Sequence, residues 1–188
     1  MKLNEKYFLR YKLLNSSFTG LSIGILFAIY QPLSPSTYSL GGIVLAALML
    51  VIAKFYDKLL NIKRFFQISM VVELIMLLTL LVFMILQFNF TSALLVYIGY
   101  QFTFVFGGYL VRAETLVAHN KELLGKIDVN KQIGYLVGLA FSFIYYKVLE
   151  YSFNITDTEQ QISILHYLLV MLELIVILLL SKSFTKKQ

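Results

Sequence analysis

The chain contains no cysteine and no tryptophan, and only two of its residues are proline. Without cysteine there is no disulfide, no thiolate zinc site and no cysteine nucleophile, and the redox compartment leaves no trace. Without tryptophan, any aromatic belt at a membrane interface falls to the 13 tyrosines. Charge is scarce too: 14% of the 188 residues carry it, against about a quarter in an ordinary soluble domain. A water-soluble fold with 59% hydrophobic residues would expose large apolar patches, so the solvent for most of this chain is lipid.

Motifs of catalysis are missing as well. There is no Gly-rich phosphate loop, no pair of catalytic carboxylates and no Ser-centred triad, so no enzymatic activity is expected. His119 and His166 have no partner at metal-ligand spacing and the methionines are dispersed, so neither a metal nor a cofactor is expected. The formal charge of +6 is spread among the segments between apolar runs. No basic surface interleaved with aromatics stands out, and nucleic acid is not an expected partner.

What the chain does have is length of apolar sequence. Crossing the hydrocarbon core by helix takes about 20 residues. Six runs meet that need, at about 15–31, 37–56, 65–88, 91–112, 131–149 and 161–181. They are separated by QPLSPS, by the charged stretch 53–66, by QFNF, by the polar segment 112–132 and by EYSFNITDTEQQ. The expectation is an all-α polytopic membrane protein, one six-helix bundle over residues 1–188, with no room for a sizeable soluble domain. The basic start runs into apolar sequence that continues to Tyr30, which reads as an uncleaved first helix rather than a signal peptide.

Positive charge sets the expected orientation. Lys2, Lys6, Arg10 and Lys12 precede the first span, and Lys54, Lys58, Lys63 and Arg64 separate the second from the third. Arg112, Lys121, Lys126 and Lys131 separate the fourth from the fifth, and Lys182, Lys186 and Lys187 form the tail. With six spans these fifteen of the sixteen cations share one side, and only Lys147 falls near the other. Both termini are therefore expected inside, in a bacterial cytoplasmic (inner) membrane.

The third span contains ELIMLL from Glu73 and the sixth ELIVIL from Glu173. Each Glu lies nine residues, about 13 Å of helix, from the basic residue at its span end, Arg64 or Lys182. The two spans run in opposite directions, as in an inverted three-plus-three repeat. Ionisable groups inside a bilayer are costly and usually functional, so Glu73 and Glu173 are proton-coupling candidates; the alternative is a structural, hydrogen-bonded Glu.

Residues 53–66, AKFYDKLLNIKRFF, place one acid, Asp57, among Lys54, Lys58, Lys63 and Arg64. The pattern resembles the first intracellular loop of the major facilitator superfamily: Ala53 stands at the usual glycine, Asp57-Lys58 at the acid–base pair and Lys63-Arg64 at the trailing basic pair. Pro32 at the end of span one, Gly41-Gly42 early in span two, Arg112 and Glu114 at the end of span four, and Gly134 and Gly138 in span five extend the resemblance along the chain. It covers only half of such a carrier, which has twelve helices in two bundles. Alanine for glycine, lysine for arginine and a longer spacer are departures from the pattern.

The resemblance implies a cytoplasmic gate, for which Asp57, Lys58, Arg64, Arg112, Glu114 and Lys131 are the candidates, Asp57 meeting Arg112 or the start of span five on a partner bundle. The bland alternative is a solvated loop that only enforces topology. The resemblance also implies that spans one and four line a central cavity, with spans three and six outside it. The candidates for contact with a small solute are then Thr19, Ser22, Tyr30 and Gln31 on span one, and Tyr97, Tyr100, Gln101 and Thr103 on span four. Tyr97 and Gln101 share a helix face, and helix–helix adhesion is the competing role for such groups. Gly20, Gly24, Gly134 and Gly138 form small-xxx-small pairs suited to close helix packing. Asn154-Ile155-Thr156 fits a glycosylation sequon on the expected outer side, a short pattern that recurs by chance.

The expected function is that of a half-size secondary transporter of a small solute. It would work by alternating access as a homodimer or with a second six-helix half, with proton coupling through Glu73 or Glu173. The alternative is a non-transporting membrane subunit that stabilises or regulates a partner. A third reading, a fragment of a twelve-helix carrier, is opposed by the start of the chain and the hydrophilic tail SKSFTKKQ.

Overall fold

The computed structural model describes residues 1–185. Its helices are α1 (Glu5–Ile29), α2 (Pro35–Lys54), the single turn α3 (Tyr56–Leu59), α4 (Ile62–Leu86), α5 (Phe90–Val117), α6 (Lys121–Phe153) and α7 (Thr158–Lys182). All but α3 are long and apolar enough to cross a membrane. Two short strands, β1 (Lys2–Leu3) and β2 (Phe184–Thr185), pair antiparallel, and the Asn4 amide donates to the Ser183 carbonyl at 2.8 Å. Both ends of the described chain therefore meet at one end of the bundle. Lys186 and Lys187 of the cationic tail lie outside the described residues.

The first backbone amides of a helix have no partner within it, and in lipid that lack is costly. Here each long helix begins on a residue whose side-chain oxygen accepts one of them: Asn4, Ser34, Asn61, Asn89, Asn120 and Asp157. Each such cap stabilises by about 1 kcal/mol. The caps also correct two expected boundaries. Helix α1 begins at Glu5, well ahead of 15, and the segment 112–132 is not a loop. It is helix α5 continuing to Val117, a short turn with His119 at φ 60°, and α6 starting on the Asn120 cap. Charge marks where water begins, whereas the helix goes on until a cap or a turn ends it.

Helix packing follows a simple order. Helix α6 packs on α1, α1 on α7, α7 on α4, α4 on α5, and α5 on α2. Helices α1 and α6 run parallel, in backbone contact through glycine: a Cβ on Gly134 would collide with the Leu13 carbonyl, and one on Gly138 with that of Ser17. Gly20 faces Tyr135 and Leu139 in the same seam. Gly24, expected to share this role, instead stands exposed with open space beside it: it is one turn beyond Gly20 on the same face of α1, past the close contact with α6. Helix α2 has no fully buried residue at all.

Two apolar cores fill the bundle. One, near the end away from the termini, gathers Phe18, Ile25, Phe83, Tyr100 and Leu165. The other, near the termini, gathers Phe8, Phe65, Tyr109, Ile127 and Val176. Between them lies a layer where Asn15, Ser69, Glu73 and Glu173 enter the interior.

Gly134→Val or Gly138→Val should lower stability by about 1–3 kcal/mol, the usual cost of overpacking, while Gly24→Ala should leave it unchanged. Thermal unfolding of the purified protein in one detergent checks the contrast.

Candidate functional site in the polar layer

Tyr11 and Asn15 lie one turn apart on α1 and present their polar ends to α4. The Tyr11 hydroxyl donates to Glu73 Oε1 at 2.5 Å, and Asn15 Nδ2 donates to the same oxygen at 3.0 Å. Across the α4–α7 contact stands Glu173, fully buried. No hydrogen-bond donor among the described residues reaches either of its oxygens. The two acids that the repeated ELI motif singled out thus both lie in the bundle interior, on the packed pair α4 and α7.

One turn nearer the termini, Lys12 is an ion-pair partner of the buried Glu114 on α5. Its ammonium also lies 5.3, 5.2 and 5.7 Å from the ring centres of Phe8, Tyr11 and Phe65. Glu114 takes a second cation, Lys131 of α6, at 3.2 Å. Tyr11, Lys12 and Asn15 are the site residues that sequence reasoning missed. Lys12 passed as one more topogenic cation beside Lys2, Lys6 and Arg10. The signal was there: Tyr11, Asn15 and Ser22 recur at i, i+4 and i+11, a polar stripe on a helix that began earlier than expected.

The expected gate forms only in part. Glu114 and Lys131 come together, but Asp57 and Arg112 do not: both are exposed, and neither has an ion-pair partner among the described residues. Lys58 and Arg64 are exposed as well, the first over the Phe55 ring at 5.9 Å and the second donating to Gln67 at 3.1 Å. The reason is local. Asp57 does not end α2 but sits in the first turn of α3, at the favourable end of a helix for an acid. That turn is fixed by the Tyr109 hydroxyl donating to the Leu59 carbonyl and by Asn61 Nδ2 donating to that of Lys58, each at 2.9 Å.

Helices α1 and α5 are not among the closely packed pairs. Between them opens a cleft of about 290 Å³ with α4 as its floor. Thr19, Ser22, Tyr100 and Thr103, four of the expected solute contacts, line it together with Glu73 and Asn15. Glu73 was expected outside any cavity, by the resemblance; the gap between α1 and α5 brings its helix to the surface of one. Tyr97 and Gln101 instead face a separate groove of about 260 Å³ between α2 and α5, lined almost wholly by apolar side chains. Tyr97 also packs edge-on against Tyr30 and Tyr38, each 5.5 Å away, and donates to the Tyr38 carbonyl at 3.4 Å. Gln101 Oε1 is buried there without a partner, and Gln31 is exposed in the turn after α1.

The histidines stay outside this chemistry. His166 Nδ1 bonds the Ile162 carbonyl at 2.9 Å and its ring stacks on Phe83 at 4.0 Å; His119 occupies the α5–α6 turn. Among the described residues no group of three or more His, Asp or Glu side chains could hold a metal ion.

Comparison of the chain with protein-family models, with curated proteins and with solved structures returns no match.

Lys12→Met should destabilise the protein by about 3–5 kcal/mol, because Glu114 is left buried without its closest cation. Arg112→Met and Asp57→Asn should leave the unfolding midpoint in place, and adding Glu114→Gln to Lys12→Met should recover part of the loss. Thermal or denaturant unfolding of the four variants in one detergent checks the order.

Proposed function

We propose that the chain is a half-size secondary transporter similar to one bundle of the major facilitator superfamily. Two such bundles, identical or different, would enclose a solute pathway bounded by α1 and α5. The observation that carries this reading is the cleft between those two helices, with a membrane-buried acid, Glu73, on its floor. Apolar bundles built only to adhere have no reason to bring a carboxyl to an opening of this kind.

The packing order supports an inverted repeat. Exchanging α1, α2 and α4 with α5, α6 and α7 turns the α1–α6 contact into α5–α2 and the α1–α7 contact into α5–α4, and leaves α4–α7 as itself. All these pairs are present. An axis through the α4–α7 contact would also relate Glu73 to Glu173, both buried on that pair of helices. The pairing of β1 with β2 at one end of the bundle, together with the distribution of cations, supports both termini being cytoplasmic. Helices α2 and α6 stand at the two ends of the packing order and offer wide apolar faces, Ile43 and Val44 on one, Leu136 and Phe143 on the other. They are the surfaces through which a second bundle would join.

In this reading Glu73 and Glu173 carry the coupled proton. Two neighbouring carboxyls out of water disfavour double ionisation, which suits them to carry a proton. Lys12, Glu114 and Lys131 form the inner closure on the terminal side of the cleft.

Reconstituted vesicles loaded with a pH-sensitive dye should show solute-dependent proton movement that falls to background in Glu73→Gln and in Glu173→Gln, with both variants assembling normally. Because the chain has no cysteine, Ile43→Cys and Leu136→Cys allow clean cross-linking between copies. A strictly monomeric protein that moves nothing would end the proposal. Variants that lose assembly rather than flux would turn it into a non-transporting subunit.

A further inference from the structure

The polarity of the cleft lining is one-sided. Thr19, Ser22 and Thr103 each donate their hydroxyl hydrogen to a carbonyl of their own helix: Thr19 to Asn15 at 3.2 Å, Ser22 to Thr19 at 3.4 Å and Thr103 to Tyr100 at 2.8 Å. What they show to the cleft is oxygen lone pairs. Asn15 commits one of its two amide hydrogens to Glu73 and adds a carbonyl oxygen as an acceptor. Glu73 adds a carboxyl. No Lys or Arg lines the cleft, since Lys12 is turned away into its ring cage and its ion pair with Glu114. The remaining wall is apolar and aromatic: Phe18, and on α5 Tyr100 and Phe104, one turn apart with ring centres 6.3 Å from each other.

Such a surface repels anions and rewards positive charge. Acceptors, a carboxyl and π-faces all favour a cation, and aromatic faces favour an organic one over a bare metal ion, which needs about six or more oxygen ligands. The volume, about 290 Å³, is at the small end for ligand cavities, of about 300 Å³ upward. The titratable groups around Glu73 are few: Tyr11 and Lys12 from α1, Glu173 from α7, and, beyond Lys12, Glu114 of α5 with Lys131 and Asp128 of α6. Glu114 is shared by Lys12 and Lys131, so some positive charge stays on the terminal side of Glu73, while the cleft lining carries none.

We propose that the cleft between α1 and α5 binds a small monovalent organic cation, an amine or quaternary ammonium, whose charge docks on Glu73 in competition with a proton. The proposal deepens the carrier reading and rests on its choice of the cleft as the solute site. Cation and proton are then alternatives at one carboxyl. Occupying the cleft releases a proton, and raising the pH tightens binding.

Benzyltrimethylammonium, whose charge is fixed at every pH, is the probe, and the full-length protein in lipid nanodiscs is the sample. The expected result is saturable binding that strengthens as pH rises and is accompanied by proton release into a weakly buffered indicator solution. Neopentylbenzene, of the same shape without the charge, should not compete. Glu73→Gln should weaken binding by about tenfold or more, and Thr19→Trp, at an exposed position on the cleft wall, should block it while leaving the acids intact. Size-exclusion profiles identify any variant that misfolds. Absence of saturable binding, equal competition by the neutral isostere, or full affinity in folded Glu73→Gln overturns the proposal. Vesicle transport separates the two readings: binding without movement sinks the carrier and keeps the cation site. Movement of a neutral or anionic solute by protein that ignores the cation sinks the site and keeps the carrier.

Discussion

A charge inside an apolar bundle has to find compensation on another helix, and in this chain that requirement ties five helices together. Lys12 of α1 is held by Glu114 of α5, which also takes Lys131 of α6; Tyr11 and Asn15 of α1 hold Glu73 of α4, which faces Glu173 of α7. Helix α2 takes no part in this network. Buried ion pairs are weak contributors to net stability, because desolvation offsets most of the attraction. What they supply is register. Leu- and Ile-rich faces slide past one another at little cost, but a lysine held by three rings and a carboxylate favours one register of α1 over its neighbours.

The two edge helices are held in different ways. Between α1 and α6 the backbones touch, because glycines at 20, 134 and 138 leave nothing between them. Between α2 and α5 side chains intervene, and a groove of about 260 Å³ remains. Even Gly41, the glycine of α2 nearest α5, meets a tyrosine ring rather than a backbone. A backbone seam resists shear, whereas a side-chain seam with empty volume yields to it. The pattern of contacts is nearly symmetric under exchange of the two halves, yet its stiffness is not.

Much of this architecture was legible in the residues. Spans long enough to cross a bilayer follow from composition and length, and the recurrence of ELI at 73 and 173 anticipated two acids at matching depth. That both acids turn into the interior of one packed helix pair was not legible, since it depends on the crossing of α4 and α7. The ends of α5 and α6 were misread because the apolar stretch was taken for the whole helix. Asp57 drew attention as the odd acid in a basic stretch, but its oddity is local, resolved by the extra turn α3. Lys12 drew none, because a cation near an N-terminus has an ordinary explanation. Side-chain partners sixty or a hundred residues away decide such cases, and no spacing rule sees them.

The six caps have a consequence beyond helix initiation. Four are asparagine and one is serine, none of which changes charge with pH. Five of the long helices thus start on neutral oxygens whose grip is the same in acid and in base. Acids do stand in the first turns of α1, α6 and α7, but beside the caps of α1 and α6 rather than as the caps themselves. Only α7 begins on an ionisable residue, Asp157, at the end away from the termini. A change of pH therefore leaves the capping bonds of five of the six long helices in place.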